Sequence, residues 1–101
     1  MYAIFTYKYW SVFPVTDVFK VAKWNSVEAP FEFQSSSLNE VIKKIKDDYA
    51  DKVCKIPYKD RGSECFLCFI VKDGKDIIGG VDFDKNVVLF NDGGVTVCDY
   101  T

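Results

Sequence analysis

Ser37-Leu38-Asn39-Glu40-Val41-Ile42-Lys43-Lys44-Ile45-Lys46-Asp47-Asp48-Tyr49-Ala50-Asp51-Lys52-Val53 is the stretch on which the fold turns, because it holds the one sustained helical period of the chain. Ser37 to Glu40 spell a capping box: the Ser37 hydroxyl is placed to accept from the Glu40 N–H, and the Glu40 carboxylate to reach back to the Ser37 N–H. Leu38, Val41, Ile42, Ile45, Tyr49 and Val53 recur at spacings of three and four and so share one stripe, while the lysines and aspartates fall elsewhere on the cylinder. A helix of this length is not stable alone in water, so flanking strands must supply a sheet for the stripe to cover. Pro57 stops it from running on. Asp47, Asp48 and Asp51 have the wrong sign for its C-terminal end, and Lys52 and Lys55 offset part of that.

Working outward, Tyr2 to Trp10 alternates as a first strand, with Ala3, Phe5, Tyr7 and Tyr9 on one side and Tyr2, Ile4, Thr6 and Lys8 on the other. Pro14 interrupts any continuation, making Ser11 to Thr16 a bend or an edge segment. Val18 to Trp24 is read as a strand for its β-branched and aromatic content, the alternative being a short helix capped by Thr16-Asp17. Asn25-Ser26 offers a turn, and Pro30 to Gln34 a brief strand that enters the helix. Tyr58 to Ser63 reads as a polar loop, after which the period changes to two. Cys65–Lys72, Asp76–Phe83, Val87–Phe90 and Val95–Tyr100 form an antiparallel meander, punctuated by Asp73-Gly74-Lys75, Asp84-Lys85-Asn86 and Asn91-Asp92-Gly93-Gly94. Gly79-Gly80 inside the second run marks a bulge or bend. The expected fold is therefore α+β over residues 1–101: two or three N-terminal strands, one central amphipathic helix, then a four-stranded meander, with the helix packed on a curved antiparallel sheet.

The 101 residues suffice for one domain, and 49% hydrophobic content for one core. A net charge of -2 argues against a strongly basic nucleic-acid binder. No basic, continuous apolar leader opens the chain and no apolar run reaches the length of a membrane span, so a cytoplasmic location without membrane attachment is expected. In that compartment Cys54, Cys65, Cys68 and Cys98 read as reduced, buried core residues.

Histidine is absent from the sequence, which removes the commonest general base and metal ligand. Cys65-Phe66-Leu67-Cys68 matches C-x-x-C, but on a strand two residues three apart point to opposite faces, too far apart to bridge. A four-thiolate zinc site would need the start of that strand to be a turn, and a second C-x-x-C is missing. Asp82-Phe83-Asp84-Lys85-Asn86 opens like a calcium loop, yet Val87 and Gly93 stand where Gly and Glu are required; Asp82 and Asp84 read instead as a solvated acidic edge. Neither glycine pair has the context of a phosphate loop. No catalytic residue, cofactor or metal is therefore assigned, and an enzyme relying on thiolates or carboxylates is the least favoured class.

Aromatic side chains make up 17% of the chain, more than its core requires, and a surface surplus marks interfaces. Tyr7, Tyr9, Trp10 and Trp24 are the candidate contact anchors, with Lys20 and Lys23 beside them. The expectation is a small non-catalytic protein-binding module, an inhibitor or regulator of the accessory type encoded by phages and mobile elements, which occludes a partner surface. The alternative is a single-stranded nucleic-acid binder that uses aromatic stacking and the lysines of the N-terminal half. A homodimer through an exposed edge strand is a further way to use the spare aromatics.

Overall fold

The computed structural model describes residues 1–13, 15–24, 26–59, 61–91 and 94–98. The roles expected of Pro14, Asn25, Asp60, Asp92-Gly93 and Asp99-Tyr100 lie outside these residues. Its elements are β1 (Tyr2–Ser11), α1 (Val18–Lys23), β2 (Phe33–Ser35), α2 (Leu38–Asp48), a 3-10 turn (Ala50–Lys52), β3 (Cys54–Tyr58), β4 (Gly62–Lys72), β5 (Asp76–Val81), β6 (Val87–Asn91) and β7 (Gly94–Val97). All seven strands join one antiparallel sheet in the order β2-β1-β4-β5-β6-β7, and β3 lies against the N-terminal half of β4 on the same side as β5. The protein is thus α+β and dominated by its sheet.

Strand alternation divides the interior in two. Ile4, Cys68, Ile70, Val81 and Val87 project from one face onto Val41, Ile42 and Ile45 of α2. Phe5, Leu67, Phe69, Val71 and Val88 project from the other onto Val18, Val21 and Ala22 of α1. Both faces carry a helix. The expectation of one roofing helix is corrected accordingly, and so is the strand expected over Val18 to Trp24. Asp17 decides that segment: its carboxylate accepts from the Phe19 N–H at 2.9 Å as an N-cap, and the i, i+3, i+4 set of Val18, Val21 and Ala22 then faces the sheet. Phe19 meets Phe90 at 5.1 Å between ring centroids, so its ring is used by the helix as well as it would be by a strand.

The central helix forms where its period places it, but it is shorter than expected. Its N-terminus is capped through a relay. The Ser37 hydroxyl accepts from the Glu40 N–H at 3.4 Å, as the capping box requires, whereas the Glu40 carboxylate accepts from the Ser35 hydroxyl and Ser35 in turn accepts from the Ser37 N–H at 3.0 Å. Beyond the other end of the helix, the Lys85 ammonium donates to the carbonyls of Asp51, within the 3-10 turn, and Val53, just after it. A cation from a distant turn thereby serves the carbonyl end of the 3-10 turn, where sequence proximity points to Lys52 and Lys55.

β5 meets the expectation of a bulge. The register with β4 shifts between Ile70 and Val71, which oppose Gly79 and Ile77. Gly79 and Gly80 permit close strand contact there, since a Cβ on them would lie 2.4 Å from the Val88 carbonyl oxygen and 2.6 Å from that of Cys68. Asp82 and Asp84 are not an acidic strand edge. β5 ends at Val81, and the Asp82 carboxylate accepts from the N–H groups of Asp84 (2.9 Å) and Asn86 (2.8 Å), closing the turn into β6.

Candidate binding surface

β4 is the longest strand, and its two halves meet different surroundings. From Leu67 to Val71 every residue is buried. From Gly62 to Phe66 it is flanked by β1 and β3, forming a three-stranded extension that α2 does not reach. The register pairs Trp10 with Glu64, Lys8 with Phe66, Ile56 with Glu64 and Tyr58 with Gly62. These residues share one sheet face by alternation. On that face Trp10 is 50% exposed, Ile56 48% and Tyr58 40%, and Cys54 is exposed beside a half-buried Phe66.

Polar contacts hold the rings in place. Trp10 and Tyr58 pack edge to face at 5.3 Å, and the Tyr58 hydroxyl donates to the Glu64 carboxylate at 2.9 Å. That carboxylate raises the tyrosine's pKa above its ordinary value, because a charged acceptor favours the protonated phenol. A shallow hollow of about 110 Å³ between Lys8, Cys54, Ile56, Glu64 and Phe66 indents the face.

The opposite side of the same extension is closed. Val15 packs over it, and its N–H donates at 3.1 Å to the hydroxyl of Ser63, the one buried polar side chain among the described residues. Gly62 takes φ 95°, and a Cβ there would sit 1.7 Å from the Ser11 carbonyl oxygen, so the return of the chain across β4 depends on glycine. Phe5, Tyr7 and Tyr9 form a ladder on this side with centroids 6.0 Å apart.

The six residues expected to bind therefore do not form one patch. Trp10 lies on the bare face. Tyr9, Lys20 and Trp24 border a groove of about 150 Å³ on the other side of the sheet, floored by Val15 and Val21, with Tyr7 half-buried next to Tyr9. Trp24 is 87% exposed at the end of α1. Lys23 turns away from that groove, its ammonium 4.2 Å above the Phe19 ring. Sequence reasoning misses Ile56 and Tyr58, because Pro57 and the polar run after it read as loop, and it places Phe66 on the expected strand Cys65–Lys72 without singling it out; the apolar alternation Cys54-Ile56-Tyr58 is the available signal.

The thiols obey strand geometry. Cys65 belongs to the core under α1 and Cys68 to the core under α2, on opposite faces of β4. Desolvation raises both, Cys68 to about 12. Cys54 is exposed, correcting the expectation that all four cysteines are core residues. Among the described residues no group of three or more Cys, Asp or Glu side chains is arranged to hold a metal ion, and no helix is long and apolar enough to cross a membrane. No protein-family model, curated protein or solved structure matches the chain.

Proposed function

We propose that this protein is a non-catalytic binding module, of the inhibitor or regulator kind, which holds a partner protein against the face formed by Trp10, Ile56, Tyr58 and Phe66. The observation that carries the reading is the bare end of the sheet: three large apolar side chains, each at least 40% exposed, lie together where the rest of that face is roofed by α2. A fixed Trp-Tyr pair with an apolar neighbour is the composition of an interface centre, and Lys8 and Glu64 supply a polar rim. Of the groups with displaced pKa values, Tyr49 interacts with Lys44 and Cys68, Tyr58 and Cys65 both feel Glu64, and Asp73 pairs with the N-terminus; no described cleft is lined by more than one of them, which favours binding over catalysis.

The test is affinity capture of the native partner by the wild-type chain and by Trp10→Ala and Trp24→Ala variants, with melting temperature measured alongside. Loss of capture by Trp10→Ala at unchanged melting temperature is the expected result. Loss by Trp24→Ala alone moves the site to the groove on the α1 side. That groove supports a second reading, single-stranded nucleic-acid binding, because Tyr9, Lys20 and Trp24 put two rings and a cation around one hollow. A gel shift at low salt that fades as salt rises would favour it.

A further inference from the structure

The bare end of the sheet has two margins, and they are finished differently. Tyr58, Ile56 and Cys54 turn their main-chain groups toward β4, so Lys55 and Pro57 face outward from β3; proline has no N–H to offer there, and that margin is blunted. On β1 the Ile4 carbonyl accepts from the Glu32 N–H on the outer side, where β2 ends. By alternation Thr6, Lys8 and Trp10 also turn their N–H and C=O groups outward, and among the described residues these groups have no main-chain partner. Next to Phe5, Thr6 and Tyr7 this margin opens on a cleft of about 550 Å³, whose far wall is Ser26, Glu28, Ala29, Pro30 and Glu32.

Charge is graded along the margin. Lys8 is exposed and has no ion pair among the described residues, and the same holds for Lys59 and Arg61 at the turn between β3 and β4. Glu28 and Glu32 stand at the other end, Glu32 accepting weakly from the Thr6 hydroxyl at 3.5 Å.

We propose that the outer margin of β1 from Thr6 to Trp10 takes an extended segment of a partner protein as an additional strand, with an acidic side chain against Lys8 and a basic one toward Glu28 and Glu32. The inference rests on the protein-binding reading above and specifies its mode. Main-chain hydrogen bonds to Thr6, Lys8 and Trp10 supply affinity, and alternate side chains of the added strand lie beside Trp10 on the bare face, where an apolar residue completes its cover. A second copy of this chain is the poorer occupant. Pairing β1 with itself about its open centre brings Lys8 opposite Lys8, and like charges directly opposed weaken a strand pair.

The test is selection of peptides of about twelve residues from a random displayed library on the full chain, followed by affinity measurement of the recovered peptides against three variants. Lys8→Pro removes an outward N–H while leaving the ladder to β4 intact, as Pro57 does on the other margin; Lys8→Glu keeps the N–H and reverses the charge; Trp10→Ala bares the face. Melting temperature reports that each variant is folded, and Lys8→Glu serves alone if Lys8→Pro is not. The expected result is peptides alternating apolar and polar residues with an acid and a base a few positions apart, bound on the order of tenfold or more weakly by Lys8→Pro and Lys8→Glu. Peptides without that charge pattern, indifferent to both Lys8 variants but lost with Trp10→Ala, would overturn strand addition and leave the binding face standing. Peptides indifferent to all three variants would overturn both readings. Failure to recover any peptide overturns strand addition, and sedimentation of the wild-type chain as a dimer that Lys8→Pro dissociates assigns the margin to self-pairing instead.

Discussion

The two halves of β4 are built on the same alternation and come to opposite ends. From Leu67 to Val71 both faces are covered, one by α2 and one by α1, and no side chain there reaches solvent. From Gly62 to Phe66 the face toward α1 is closed by Val15 and Tyr9, while the other stays bare. Apolar residues continue on that bare face through Phe66, Ile56, Tyr58 and Trp10, although no helix extends to cover them. The first half is covered on both faces, and the proposed function assigns partner binding to the face that the second half leaves bare.

Thiol chemistry gives the sharpest contrast. At mildly alkaline pH a soluble thiol reagent should label Cys54 promptly, whereas Cys68 becomes accessible only through opening of the core and reacts slower by a factor on the order of 10³ or more. Mass-spectrometric mapping of the modified peptides against time checks this, and labelling of Cys68 at the Cys54 rate would show that the two halves are not distinct. The pH dependence has a fixed sign. Cys68 ionises near 9.0 when exposed and near 12 in the fold, so between those values the unfolded chain binds fewer protons than the folded one. Its contribution to stability is complete below about pH 9 and is lost progressively as pH rises toward 12, which alkaline unfolding by circular dichroism measures.

Core truncation is next in size. Ile42→Ala removes a fully buried side chain from the α2 stripe and should cost about 2–5 kcal/mol in denaturant unfolding. Ser63→Ala, in the other half, leaves the buried Val15 N–H without an acceptor and should cost about 1–3 kcal/mol. Because Ser63 ties the closed side of the extension, this variant also tests whether the bare face depends on the backing beneath it. Ser37→Ala removes the helix cap for about 1 kcal/mol.

Legibility in the sequence divides along the same line. The α2 stripe, the alternation of β1, the separation of Cys65 from Cys68 and the bulge beside Gly79, where Ile78 is the extra residue, are legible, since each is a local period or a residue with few conformational uses. α1 is not, because Val18 and Phe19 suit a strand by propensity, and this is outweighed by the Asp17 cap and the covering of Phe5 and Phe69, neither of which a short window weighs. β3 is lost for a subtler reason. Pro57 ends a strand only where its missing N–H would have faced a neighbour, and here it faces outward, a fact set by the register with β4. Half of the candidate site goes with it. Trp10 is identified by its side-chain type, but Ile56 and Tyr58 become its neighbours only once β3 is known to exist.

Trp10→Ala should change stability by no more than about 0.5 kcal/mol, since the indole is half exposed and packs edge-on against Tyr58, itself an exposed residue. Under the proposed function its expected effect is on partner binding. A variant that lowered the melting temperature as much as Ile42→Ala would place Trp10 in the core and dissolve the distinction between the halves. Tyr58 offers the finest probe, because its hydroxyl is held by Glu64 and its ring by Trp10. Spectrophotometric titration should find this phenol ionising above the usual tyrosine range, and Glu64→Gln should bring it back down, as the negative acceptor is what favours the proton. If Glu64→Gln and Tyr58→Phe weaken partner binding alike while leaving the melting temperature unchanged, the carboxylate acts by fixing the Tyr58 ring before the partner arrives rather than as a direct rim contact. Fewer side-chain rotamers then remain to be frozen on binding, and the bare half is organised in advance without a helix to hold it.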